Sequence, residues 1–281
     1  MKTIKEILPS IPVQMGSIVV KQPLPSDSHL QIDPFLLLHH AGPFEITPGE
    51  NPMNVPAHPH RGFSPVTFVF NGSVAHRDSL GNEQIIHSGG IQWINAGAGI
   101  VHSESVSEEF IHKGGKFQII QLWINLPQAK KMISPTYYGF DQSSIPKIKL
   151  TNGSIQLVAG NLHEKKGGIQ PELPLTIFMG NLQAGDNFSF TVEDNYQAFV
   201  YVLEGKLEVN DDLISANQLG IIDRNIQKLS ISSNIETKIL FCAGEPLNET
   251  IKQYGPFVMN TQQEILQAMR DYENGEMGYL S

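Results

Sequence analysis

The stretch VTFVFNGSVAHRD, residues 66–78, places two short apolar runs on either side of Asn71-Gly72, a pair suited to a tight turn. A second stretch, AFVYVLEGKLEVNDD at 198–212, repeats the layout with Glu204-Gly205 in the same place. Each reads as a hairpin. Each is followed by a small-residue turn and another short apolar strand, GGIQWINA at 89–96 and ANQLGIID at 216–223. The two passages form a degenerate internal repeat, which predicts two similar β domains in tandem rather than one long domain.

Elsewhere the apolar residues also fall in short runs cut by glycine, proline and asparagine, the pattern of an all-β chain. The clearest strand is FQIIQLWINL, residues 117–126, where Ile120, Leu122, Ile124 and Leu126 make one apolar face at period two. Prolines, lysines and serines interrupt the pattern over 127–148. The expected division is a first domain at 1–135, a linker at 136–147 and a second domain at 148–281. One helix is predicted near the end: Thr261 and Glu264 make a capping box, Ile265, Leu266, Met269 and Tyr272 an apolar stripe, and Gly275 a stop.

With 28 acidic against 19 basic side chains the net charge is −9 and the pI about 5.5. No run of lysine or arginine offers a strip for phosphates, so direct nucleic-acid binding is not expected. The single cysteine, Cys242, excludes an internal disulfide and reads as a buried, inert thiol in KILFCAG. Lys5, Glu6 and Pro9 break the first apolar run, which differs from a signal peptide, and no later run reaches membrane-spanning length. The expectation is a soluble, cytoplasmic protein without membrane partners.

Ten histidines occur, and every one lies at or before His163. His58 and His60 in NVPAHPHRGFSP are two apart, and residues i and i+2 of an extended segment share a face. GAGIVHSES supplies a second such pair, His102 and Glu104. HPH alone in a proline-rich loop does not make a metal site. Two pairs meeting across a small barrel give three imidazoles and one carboxylate, a set suited to a divalent first-row transition metal. The turns at Asn71-Gly72 and Gly89-Gly90 let the chain run out and return, and Gly97 and Gly99 let it bend before His102. His39 and His40 read as a strand end rather than as hydrogen-bond partners to a ligand, the less favoured alternative. His76 and His87 on hairpin strands, and His29, His112 and His163 in loop-like sequence, read as solvated or structural; Trp93 and Trp123 read as core.

The segments DPFLLL, HPHRGF, DSLGN, QWINAGAGIVHSE and GEPLNETIKQYGPFVMNTQQEI follow, in order and over nearly the whole chain, those of the pirins of the cupin superfamily. The resemblance implies two tandem cupin-type, jelly-roll-like β-barrels with a short C-terminal helix and one metal in the N-terminal barrel. It carries the metal ligands onto His58, His60, His102 and Glu104. Iron(II) is the first expectation for that metal, with manganese, nickel, cobalt, copper or zinc compatible. Pirins usually lack ligands in the second barrel, which agrees with the absence of histidine after His163. Three positions depart from the common pirin pattern. Ser64, followed by Pro65, stands where glutamate follows HRGF; Ala98 replaces the arginine of AGRGI; and His39 and His40 replace an aspartate-containing turn.

The resemblance also implies an activity. Some pirins resemble quercetin 2,3-dioxygenases, which implies a flavonol-like aromatic substrate, dioxygen as co-substrate, Glu104 as the base for the 3-hydroxyl proton and carbon monoxide as a product. The alternative, from a different class, is a non-enzymatic iron-dependent redox sensor acting through a protein partner.

Overall fold

The computed structural model describes residues 2–280. The run at 117–126 lies, but for Leu126, in the strand Gly115–Asn125, central in a seven-stranded sheet. Ile120, Leu122, Ile124 and Leu126 are fully buried. The opposite face is not left to water either: it carries Phe117, Ile119, Gln121 and Trp123, the first two buried and the others half-buried. A strand covered on both faces needs more than simple alternation, and the polar Gln121 on its second face marks something other than core.

In that sheet the order is Thr136–Phe140, Ile91–Asn95, Phe63–Asn71, Gly115–Asn125, Phe35–Ile46, Ile18–Leu24 and Ile11–Met15. A four-stranded sheet of Asn54–His60, Ile100–Val106, Ser73–Asp78 and Glu83–His87 packs against it through a core of Val69, Phe117, Val74, Ile86 and Val106. The second barrel repeats this plan. Its seven strands run Ile4–Pro9, Gln218–Ile222, Gln197–Glu204, Thr237–Gly244, Leu175–Leu182, Ser154–Ala159 and Lys147–Lys149, and its four run Asp186–Thr191, Lys228–Ser233, Lys206–Val209 and Asp212–Ser215. Its core is aromatic: Phe178 stacks on Phe241 at 4.7 Å between ring centroids, with Phe188 and Phe190 beside them. Burying each such ring stabilises by about 1.5–3 kcal/mol. The protein is all-β, two tandem cupin-type barrels, with a C-terminal helix.

The two glycine turns that define the repeat are corners, not hairpins. Phe63–Asn71 and Ser73–Asp78 belong to different sheets, as do Gln197–Glu204 and Lys206–Val209. Gly72 and Gly205 sit at φ +86° and +85° and pass the chain from one sheet to the other. A Cβ on Gly205 would meet Thr237 Oγ1 and the Glu236 carbonyl. Gly205→Ala is therefore expected to destabilise the full chain by about 1–3 kcal/mol, combining left-handed strain with displacement of backbone. Urea unfolding reads this, and a shift below about 0.5 kcal/mol would contradict it.

The expected domain limits change at both ends and in the middle. Residues 1–11 and 21–34 group with 143–247, and residues 12–20 and 35–142 group with 248–281. Ile4–Pro9 pairs with Gln218–Ile222, so the first strand belongs to the second barrel. Thr136–Phe140, assigned to a linker from sequence, is an edge strand of the first barrel beside Ile91–Asn95. The helix, Gln262–Glu273, has the expected Thr261–Glu264 capping box and packs in a cluster with Val101, Phe257 and Met259 of the first barrel's group. Its buried face is Ile265, Ala268 and Asp271, while Leu266 and Tyr272 are exposed. A six-residue helix, Glu108–Lys113, was not anticipated; Ser107 caps it by accepting from the Phe110 N–H, and it contains His112. Among the described residues, no helix is long and apolar enough to cross a membrane.

Candidate metal centre

His58 and His60 lie on Asn54–His60, an edge strand, where Pro59 costs no ladder bond in the interior of a sheet. Their partner is Ile100–Val106, with His102 opposite His58 and Ile100 opposite His60. The pairing slips between His102 and Glu104, a bulge that re-aims the carboxylate. On the other side of Ile100–Val106, His102 stands opposite Asp78 and Glu104 opposite His76. Gly97 and Gly99 hold φ +46° and +134° in the turn just before.

His58, His60 and His102 place their ligating nitrogens within 4.8 Å of one another. The Nε2 atoms of His58 and His60 are 3.1 Å apart, and His58 donates Nδ1–H to the Pro56 carbonyl at 2.9 Å, which leaves its Nε2 lone pair free to ligate. His102 is completely buried, and neither ring nitrogen has a hydrogen-bond partner. Glu104 falls into a second group with His102 and His76, again within 4.8 Å. Burial, followed by the neighbouring imidazoles, pushes His102 and His60 well below the usual histidine range. Both are therefore neutral at physiological pH, the form in which imidazole binds metal. A buried imidazole with two unused nitrogens is costly in a protein core, and a cation supplies the missing partner. The residues fit a metal.

Glu104 is held from both sides. Its Oε1 accepts from Gln92 Nε2 and from Thr67 Oγ1 at 3.3 Å, and its Oε2 from Gln121 Nε2 at 3.0 Å. Trp123 lies 5.4 Å from His60 and 4.3 Å from Phe63 between ring centroids, an aromatic wall beside the histidines. Behind the wall, Lys131 is buried and donates to the carbonyls of Gly62 and Val258 at 2.7 and 2.9 Å and to Asn125 Oδ1 at 2.6 Å. Burial pulls its amine down to about 8 against the opposing charges of Glu249 and Glu264. Arg61, next to His60, donates Nε–H to the Ala98 carbonyl and a guanidinium N–H to Asp271, both at 2.6 Å.

Two family models match the chain, Pirin over residues 17–124 and Pirin C-terminal cupin domain over residues 177–278. The chain belongs to the pirin family. This pirin is 39% identical over 246 residues to a Pseudomonas aeruginosa protein provisionally named a quercetin 2,3-dioxygenase, covering 87% of this chain and 86% of the other. It is 33% identical over 282 residues to Pirin-1 of Arabidopsis thaliana, covering 98% and 94%. The crystal structure of a quercetin 2,3-dioxygenase from Acinetobacter baumannii superposes with a TM-score of 0.92 at 36% identity over the whole of both chains.

The positions where this pirin departs from the common pattern do not alter the four expected ligands. Ser64 donates to Asn95 Oδ1, which also receives Trp93 Nε1–H, both at 2.9 Å, in a buried network with Thr136. Ala98 contributes its carbonyl to Arg61. Burial pulls His39 down to about 4, and the ring of His40 meets Gln118 at 3.1 Å. Of the two readings of His76, solvated or structural, the structure excludes the first: the ring is fully buried, stacked on Tyr137 at 4.2 Å. The sequence signal for Thr67, Gln92 and Gln121 was the polar residue inside an otherwise buried strand, which in a core demands a partner.

Proposed function

We propose that this pirin is a metal-dependent dioxygenase of the quercetin 2,3-dioxygenase type, with the metal held by His58, His60, His102 and Glu104. The observation that carries the reading is His102, buried with both nitrogens unpartnered between two other imidazoles and next to a braced carboxylate. Three nitrogens and one oxygen suit a divalent first-row ion, iron(II) first. Such an ion, when bound, supplies a Lewis acid toward an oxygen donor and a redox partner for dioxygen.

The chain's own residues do the rest. Glu104 takes the 3-hydroxyl proton of a flavonol-like substrate, and it does so at Oε2, which has one donor, rather than at Oε1, which has two. Gln92 and Thr67 keep the carboxylate aimed while Oε2 gains the proton. Phe63 and Trp123 exclude water from the side of His60 and offer a face for an aromatic ring. The relatives named for quercetin 2,3-dioxygenase activity favour this chemistry over other reactions at such a site.

The test is an anaerobic-to-aerobic assay of the purified chain, loaded separately with iron(II), nickel, manganese, cobalt and copper, using quercetin. Carbon monoxide release with stoichiometric oxygen uptake is expected with at least one metal. Neither product nor oxygen uptake with any of them would overturn the proposal.

A further inference from the structure

One buried histidine in the first barrel is left unused by this chemistry. His76 is fully buried on Ser73–Asp78 and donates Nε2–H to Asp78 Oδ2 at 3.0 Å. Its Nδ1 has no hydrogen-bond partner. His40, another buried histidine of the same barrel, differs: a glutamine fills its ring nitrogen's hydrogen-bonding capacity. The DSLGN segment explains why His76 is set in this way. Asp78 Oδ1 accepts from Leu80 N–H at 2.9 Å and from Asn82 N–H at 3.0 Å, and the Asn82 amide reaches both carboxylate oxygens. The acceptor is thereby fixed, and Tyr137, stacked 9° from parallel, fixes the plane of the imidazole. An imidazole that gives one N–H to a carboxylate and keeps the other nitrogen bare is arranged as metal-binding histidines are.

We propose that His76, His102 and Glu104 form a second, inner metal seat, sharing His102 and Glu104 with the set that includes His58 and His60. The register puts the three together: Glu104 lies opposite His76, and His102 opposite Asp78, on adjacent strands. Their ligating atoms lie within 4.8 Å of one another and all three residues are buried. Two nitrogens and one carboxylate oxygen take borderline divalent ions such as cobalt, nickel, copper or zinc. An ion can then be kept by the inner seat when the outer histidines are lost, and His102 and Glu104 are common to both positions. This inference concerns metal binding alone and stands or falls independently of the oxygenase reading.

The experiment uses the full metal-free chain, titrated with cobalt(II) by calorimetry and loaded with copper(II) for electron paramagnetic resonance. The His58→Ala/His60→Ala variant is expected to bind one ion with an affinity weaker than wild type by about 100-fold or more, since losing even an outer hydrogen-bond partner of a ligand costs about 10- to 100-fold. Its copper spectrum should show coupling to two nitrogens. Adding His76→Ala should weaken binding by a further 10-fold or more, on the order of a lost ligand partner, and leave coupling to one nitrogen. Circular dichroism and thermal melts establish folding; if the alanine pair does not fold, the His58→Gln/His60→Gln pair, closer in volume, carries the same expectations. The nitrogen count in the double variants needs no change at His76. The proposal is overturned if a folded double variant binds no metal, or if adding His76→Ala leaves both affinity and nitrogen coupling unchanged.

Discussion

Replacing His102 by leucine is expected to abolish metal binding while leaving the metal-free protein at least as stable as before. His102 belongs to both groups of candidate ligands, so neither seat survives its loss. In the metal-free chain, however, this imidazole is a buried polar ring with no hydrogen-bond partner on either nitrogen. Such a group costs about 1–3 kcal/mol of desolvation, and leucine of similar volume removes that cost. Wild type should gain stability on adding metal, about 2.7 kcal/mol at a hundredfold excess over Kd, and the variant should gain none. Elemental analysis and urea unfolding with and without chelator measure both halves of the expectation. A variant that still carries close to one metal per chain, or whose chelated form is less stable than wild type by more than about 2 kcal/mol, would count against it.

Arg61→Ala is expected to be the most destabilising single change near the site, at about 3–5 kcal/mol, because it strands a buried carboxylate. Arg61 and Asp271 are both buried and meet at 2.6 Å. The same guanidinium holds the Ala98 carbonyl, and Arg61's own backbone donates to Pro256 and accepts from Val258. His60 is its chain neighbour, so metal affinity should fall as well. Burial pushes the Asp271 carboxyl up, but hydrogen bonds from Arg61 and Gln267 and the charges of Arg61 and Arg270 outweigh it and hold it below the usual carboxylate range. A carboxylate lowered in the folded state stabilises above its unfolded pKa, about 3.9, and that stability is lost as pH falls through the folded value. The gap between wild type and Asp271→Asn should therefore be widest near neutral pH and shrink toward pH 3. Urea midpoints across that range test the sign, and a gap that grows on acidification would refute it.

What the sequence carried of the candidate site is its local part: two i, i+2 pairs, whose same-face geometry any strand enforces, and of the four expected ligands the structure gathers His58, His60 and His102 in one group and puts Glu104 with His102 and His76 in another. What surrounds them was less legible. Val74, His76 and Asp78 alternate with Ala75 and Arg77, so the polar residues could be read as a wet face. The structure buries His76 and Asp78 because a second sheet and Tyr137 cover that face. Tyr137 itself falls in the expected linker, since edge strands such as Thr136–Phe140 carry little apolar pattern of their own. The corner at Asn71-Gly72 looks locally like a hairpin turn because both need a positive φ. The distinction lies in the partner strand, and Asn71 pairs with distant Gln118 rather than with the strand that follows it. The terminal exchange was invisible for the same reason: nothing in IKEILP names a strand more than 200 residues away as its neighbour.

That pairing has a bearing on how the chain matures during synthesis. Ile4–Pro9 leaves the ribosome long before its partner, Gln218–Ile222, is made. At about 5–20 residues per second, the interval is on the order of 10–40 s. Through that time an amphipathic strand has its edge groups unsatisfied, with Ile4 and Leu8, both buried in the finished protein, still open to water. Completion of the second barrel is thus tied to translation of the second half of the message, and nascent chains stalled before residue 218 would display a ready target for chaperones.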